Sequence, residues 1–154
     1  MKTPLEAVQM LLSNPTDIER VRSLTTEDVI YVSLNFDNPE LHEVMPWTGT
    51  NRGPQSIVDA FSGIGRVWET KAFEVRDVIA NDTAVAMFGS FTYKTRVLGK
   101  EITSPFALLV KLADGKISYI QFMEDTFGTA SSFRSGGTWH FRGVASGDEV
   151  SVGS

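Results

Sequence analysis

The sequence contains no cysteine and only two histidines, His42 and His140. Disulfides, a thiol nucleophile and a thiolate metal site are excluded, and imidazole-based metal chemistry has little to draw on. Positive charge is scarce and scattered. Fourteen Lys and Arg stand against 19 Asp and Glu, for a formal net charge of -5. With no basic stripe to neutralise phosphates, nucleic acid is not an expected partner. No apolar run approaches the roughly 20 residues needed to span a bilayer. The opening Met1-Lys2-Thr3-Pro4-Leu5-Glu6 has no signal-peptide core. These absences predict a soluble, cytoplasmic protein without a membrane partner.

What is present suffices for one core. A chain of 154 residues, 42% hydrophobic, supports one compact domain. We read that domain over residues 1–134. Residues 135–154 form a Gly/Ser-rich tail in which Trp139, Phe141 and Val144 are scattered, with disorder expected in its last residues.

The order of elements is helices first, strands after. Thr3, Pro4 and Glu6 form a helix start, and the apolar side of Leu5, Val8, Met10, Leu11 and Leu12 carries that helix to Asn14-Pro15. A second capping box, Thr16 with Glu19, opens helix two, whose Ile18, Val21 and Leu24 face inward. Val29 to Asn35 reads as a strand with Ile30, Val32 and Leu34 on one face and Tyr31, Ser33 and Asn35 on the other. Pro, Gly and Asn recur from Phe36 to Gly53, which predicts a long irregular connection containing Trp47. Pro54 starts a third helix. Four strands follow, at 71–80, 84–96, 101–112 and 116–124, separated by short turn signals, so an antiparallel meander is expected. Pro105 predicts a bulge or bend in its strand. Phe127 to Phe133 suits a short final helix. This succession is an α+β order, and helices packed on one concave sheet face leave a cup suited to a small molecule.

The junction at the end of the last strand carries the most chemistry. Ile117 to Met123 runs into two adjacent acids, Glu124 and Asp125, which on a continuing strand face opposite ways. An acid turned inward among Phe, Met and Tyr would have a raised pKa and serve in proton transfer. Acids at strand ends also remain solvated or cap the next helix.

Two segments, Pro46-Trp47-Thr48-Gly49-Thr50-Asn51-Arg52-Gly53 running to Phe61 and Asp114-Gly115-Lys116-Ile117 running to Asp125-Thr126, resemble the SnoaL-like branch of the nuclear transport factor 2-like superfamily. The similarity covers about residues 5–134. It implies a cone-shaped, curved mixed or antiparallel sheet packed on three N-terminal helices, a cystatin-like α+β barrel, commonly a homodimer through the outer sheet face. It also implies a pocket between sheet and helices. Fold alone does not settle activity. The resemblance places Asp125 where cyclase-like relatives end their last strand in an acid, making it the expected general acid or base. Ala107 stands roughly where ketosteroid isomerases carry a neutral acid, Leu108 stands near a frequent His of SnoaL-like sequences, and Ser33 or Asn35 falls near the isomerase base. Ketosteroid isomerase chemistry is therefore disfavoured. The weaker epoxide hydrolase candidates are Asp77 with Arg76, and Asp125.

The resulting expectation is a cofactor-independent cyclase or isomerase acting on an apolar, carbonyl-bearing molecule by acid–base chemistry. Asp125 handles the proton and Tyr31 or Tyr93 polarises an oxygen. Ser33, Asn35, Trp47, Met87, Phe106 and Met123 contact substrate, and no cofactor or metal is called for. The alternative is a non-catalytic ligand-binding or dimerisation domain of the same fold.

Overall fold

The computed structural model describes residues 2–143 and 145–153. Val144, placed above in the tail, lies outside the described residues, as do Met1 and Ser154.

Helix α1 spans Pro4–Ser13 and opens as its sequence requires. The Thr3 hydroxyl accepts the Glu6 N–H at 3.2 Å while the Glu6 carboxylate accepts the Thr3 N–H at 2.8 Å, satisfying two N-terminal donors at once. Helix α2, Ile18–Leu24, begins one residue past the Thr16 box: Asp17 is its cap and accepts from the Glu19 and Arg20 N–H groups. A carboxylate there also meets the positive end of the helix dipole. The two helices bury Val8, Leu11, Val21 and Leu24.

Strand β1 runs Thr25–Ser33 and starts ahead of the expected Val29. The connection read as irregular instead holds helix α3, Pro39–Val44, and strand β2, Gly49–Arg52. Asn38 caps α3 by accepting the Leu41 N–H at 3.1 Å, and β2 returns antiparallel on β1. Helix α4, Pro54–Val67, runs through Gly63 and Gly65. Four helices rather than three therefore precede the long meander. Strands β3 (Trp68–Ala80), β4 (Ala84–Thr95), β5 (Glu101–Ala113) and β6 (Lys116–Glu124) follow, and helix α5 covers Thr126–Ser131. In the tail, β7 (Trp139–Phe141) and β8 (Val150–Val152) pair antiparallel.

The sheet order is β2-β1-β6-β5-β4-β3. The meander is antiparallel as expected, and β1 pairs with β6 in parallel, from Ile30 opposite Tyr119 to Ser33 opposite Phe122. The α+β class and the curved mixed sheet hold. The sheet stays open, with β2 and β3 as its edges, so it is a cone-like sheet rather than a closed barrel.

Two further details shape it. Pro105 makes no bulge: β4 and β5 keep one register from Ala84 to Lys94, and pairing with β6 ends next to it at Phe106 opposite Glu124. Irregularities fall elsewhere, at Lys111/Leu112 in the β5–β6 pairing, between Thr25 and Ile30 in β1, and in edge strand β3 between Thr70 and Ala72 and between Val75 and Asp77. Together with exposed Lys71, Glu74 and Arg76 those in β3 protect an unpaired edge against strand addition.

Candidate active site

The inner sheet face, α1 and α4 enclose a narrow cavity. Its volume is about 60 Å³, room for a handful of waters at about 10–15 Å³ each. Its walls are aromatic and aliphatic. Phe106 stacks on Phe122 at 5.4 Å and on Phe73 at 4.8 Å between ring centres, and Leu11, Ile64 and Leu108 fill the spaces between.

Strand parity decides which acid enters. Across β5 and β6, Leu108 lies opposite Phe122 and Phe106 opposite Glu124, and all four side chains line the cavity. Ala107 and Met123, opposite one another in the same register, take the other face. The inward acid is Glu124. Its Oε2 is buried with no hydrogen-bond partner. Burial pushes its pKa from 4.5 up to about 7, the Thr129 hydroxyl works against the rise, and the Asp125 charge adds to it.

Two phenols belong to the same spot. Burial raises the Tyr31 hydroxyl to about 12, with Ser33 opposing and Glu124 adding. Tyr93 lies above the ordinary phenol range, through burial first and then the charges of Glu124 and Tyr31. Both therefore stay protonated at neutral pH and present O–H donors. Trp68, 2% exposed, completes the group. Its indole N–H is buried without an acceptor, and its ring centre lies 5.0 Å from Tyr93, 4.9 Å from Phe133 and 5.5 Å from Trp47. One carboxyl with a free oxygen and one indole with a free N–H, both in an apolar cavity, are groups that a polar guest would satisfy.

The residues expected from sequence divide into two sets. Tyr31, Ser33, Trp47, Met87, Tyr93 and Phe106 line the cavity. Asp125, Asn35 and Met123 do not. Strand β6 ends at Glu124, and Asp125 caps α5, its Oδ1 accepting the Gly128 N–H at 3.0 Å while the residue stays exposed. The expectation of Asp125 as the inward acid is thus corrected: the helix N-terminus claims its carboxylate. Asn35 loses its place because Leu34 adopts φ 67° and breaks the strand alternation. Its amide is buried without a partner, outside the cavity lining. Met123 is 39% exposed on the outer face.

Glu124 and Trp68 are the groups that the sequence reading passed over. A signal for Glu124 was present, since Ile120, Phe122 and Glu124 share one parity while Tyr119, Gln121 and Met123 share the other. The free N–H of Trp68 depends on neighbours that sequence does not reveal. His42 braces the loop before β2 through a 3.1 Å contact between Nδ1 and the Thr48 carbonyl. Arg76 pairs with Glu74 on the exposed edge strand, and neither Arg76 nor Asp77 lines the cavity. Among the described residues no cluster of three or more His, Asp or Glu side chains is placed to hold a metal ion.

The model of the SnoaL-like domain family matches residues 9–120. This chain belongs to the SnoaL-like family. Glu124 lies just past the matched segment of this SnoaL-like chain. It is 45% identical over 122 residues to patulin synthesis protein F of Aspergillus clavatus, covering 77% of this chain and 62% of that protein. It is 40% identical over 139 residues to patulin biosynthesis cluster protein F of Penicillium expansum, covering 87% of this chain and 70% of that protein. The SnoaL-like chain thus spans less than two thirds of the first relative's length. A nuclear transport factor 2-like protein from Burkholderia thailandensis shares the fold, with a TM-score of 0.71, 20% identity, and coverage of 87% of this chain and 99% of that one. Among the described residues no helix is long and apolar enough to cross a membrane.

Proposed function

We propose that this SnoaL-like protein is a small-molecule enzyme of cyclase or isomerase type, acting on an apolar compound that bears a carbonyl group. The observation that carries the reading is the Glu124 carboxyl, buried in an apolar cavity with one oxygen free and two neutral phenols beside it. A carboxyl whose pKa lies near 7 is divided between base and acid at working pH, which favours transfer in both directions. Ionised Glu124 takes a proton from the carbon next to the carbonyl. The electron pair moves onto the carbonyl oxygen, and the Tyr31 and Tyr93 hydroxyls and the Trp68 N–H donate to the resulting oxyanion. Return of the proton to a different carbon completes an isomerisation. Attack of the enolate carbon on a second carbonyl, whose oxygen takes up the proton held by Glu124, completes a cyclisation. Neither route calls on a cofactor. The names of both relatives, which refer to patulin synthesis, support small-molecule chemistry for this chain as well.

The direct test is hydrogen exchange. Uncharged cyclic ketones incubated with the protein in D₂O are expected to gain deuterium next to the carbonyl. Tyr93→Phe should slow that exchange by about tenfold, as loss of one donor to the oxyanion. Binding of the same ketones without exchange would instead support the non-catalytic reading.

The outer sheet face suits a second copy of the chain. Phe88, Ala107 and Met123 lie side by side across β4, β5 and β6, with Phe88 46% and Met123 39% exposed. A homodimer over this row is expected by sedimentation at micromolar concentration, and Phe88→Asp with Met123→Asp should give a monomer. A monomeric parent protein at that concentration would sink the assignment.

A further inference from the structure

The cavity has room for only a few waters, so a larger guest needs one wall to move. Trp47 is the wall with space behind it. Its indole lines the cavity and also lines an outer groove of about 430 Å³, bounded by Asn51, Asp59, Ala60 and Arg66. One residue thus borders both spaces.

The backbone around Trp47 is fastened while its ring is not crowded from behind. The Asn51 amide donates to the Trp47 and Gly49 carbonyls at 3.1 Å each, and Thr48 Oγ1 donates to the Met45 carbonyl at 2.8 Å. Helix α4 passes the ring at Gly63, where an added Cβ would sit 3.4 Å from Trp47 Cε3. A glycine inside a helix costs about 1 kcal/mol relative to alanine. Here it leaves clearance on the groove side of the indole.

We infer that the Trp47 indole is a swinging partition, turning about its own side-chain bonds toward Gly63 to join groove and cavity, and that it sets the size of uncharged ring compound admitted. Rotation of this kind leaves the anchored loop in place and makes access slower than simple diffusion into an open cup. The inference rests on the interior being a ligand site. It is independent of the role given to Glu124.

The test is stopped-flow binding of the neutral two-ring ketone 6-propionyl-2-dimethylaminonaphthalene, followed by its blue-shifted emission. Trp47→Ala is expected to raise the association rate by at least about tenfold, and Gly63→Ala, which fills the clearance, to lower it by about fivefold, the scale expected when a conformational step limits binding. Trp47→Phe, the milder change, should fall between parent and Trp47→Ala. Arg76→Ala, on the exposed edge strand away from both spaces, should leave the rates unchanged, and because the readout is binding rather than turnover its outcome is separate from the catalytic reading. Equal rates in the parent, Trp47→Ala and Gly63→Ala proteins overturn it. So does acceleration by Phe133→Ala alone, which would place the opening on the α5 side. Failure of both parent and Trp47→Ala proteins to take up the probe also overturns it.

Discussion

Replacing Glu124 by glutamine is expected to lower turnover by ~10²–10⁴-fold, the usual contribution of one positioned acid–base group, while making the folded chain more stable above neutral pH. Both effects have one cause. The Glu124 carboxyl is held in apolar surroundings that lift its pKa from 4.5 to about 7. Between those two values the native state holds a proton that the unfolded chain releases, so stability falls as pH rises from about 4.5 to about 7 and is flat above. The raised pKa corresponds to a cost on the order of 3 kcal/mol in the ionised form. Glutamine keeps the shape and carries no charge. The melting temperature of Glu124→Gln should match the parent at pH 4.5 and exceed it by several degrees at pH 8. In the parent, kcat/KM should climb as pH passes through about 7, because the base form does the work. Asp125→Asn should keep turnover close to the parent's, since that side chain caps α5 outside the cavity and its charge is the smallest of the influences on Glu124. Full activity in Glu124→Gln, or loss of activity in Asp125→Asn alone, would refute the assignment.

Gly89→Ala is expected to be the most damaging single-methyl change in the sheet. Gly89 lies in β4 between Val75 of β3 and Phe106 of β5, beside the bulge at Arg76. A Cβ there would overlap the Glu74 carbonyl oxygen and lie 2.8 Å from Phe106 Cε1. The first obstacle is backbone, which cannot rotate away, and the second is a ring stacked on both sides. Overpacking of this kind costs about 3 kcal/mol or more when the neighbour is main chain. A fall in melting temperature of several degrees should follow, with loss of ligand binding as Phe106 shifts. A melt unchanged within error would show that β3 can move away from β4.

Much of this fold was legible because local rules and tertiary packing agree. The Thr3–Glu6 box, the Asp114-Gly115 turn with φ 50° and 79°, and the period change after α4 each point to the element that forms. Helix α3 also had its signal in Asn38-Pro39-Glu40, a cap followed by proline, but the loop-forming residues around it masked so short an element. The parallel pairing of β1 with β6 left no local trace, since it depends on which sheet edge remains free once the meander has formed. At the site, one residue of parity separated Asp125 from Glu124. The resemblance gave the acid at the strand's end to Asp125, whereas the parity shared with Ile120 and Phe122 points to Glu124, and Thr126-Phe127-Gly128 marks the helix start that claims Asp125.

The β1–β6 pairing governs when the site comes into being. Tyr31 and Glu124 stand on neighbouring strands, yet residues 34–115 lie between those strands along the chain. Closing so large a loop is entropically costly and slows folding relative to local contacts. On the ribosome α1 to α4 and the first strand emerge long before their neighbour β6 does. The cavity is then completed only after β6 is made, and a chain halted before Lys116 has the phenol without its acid.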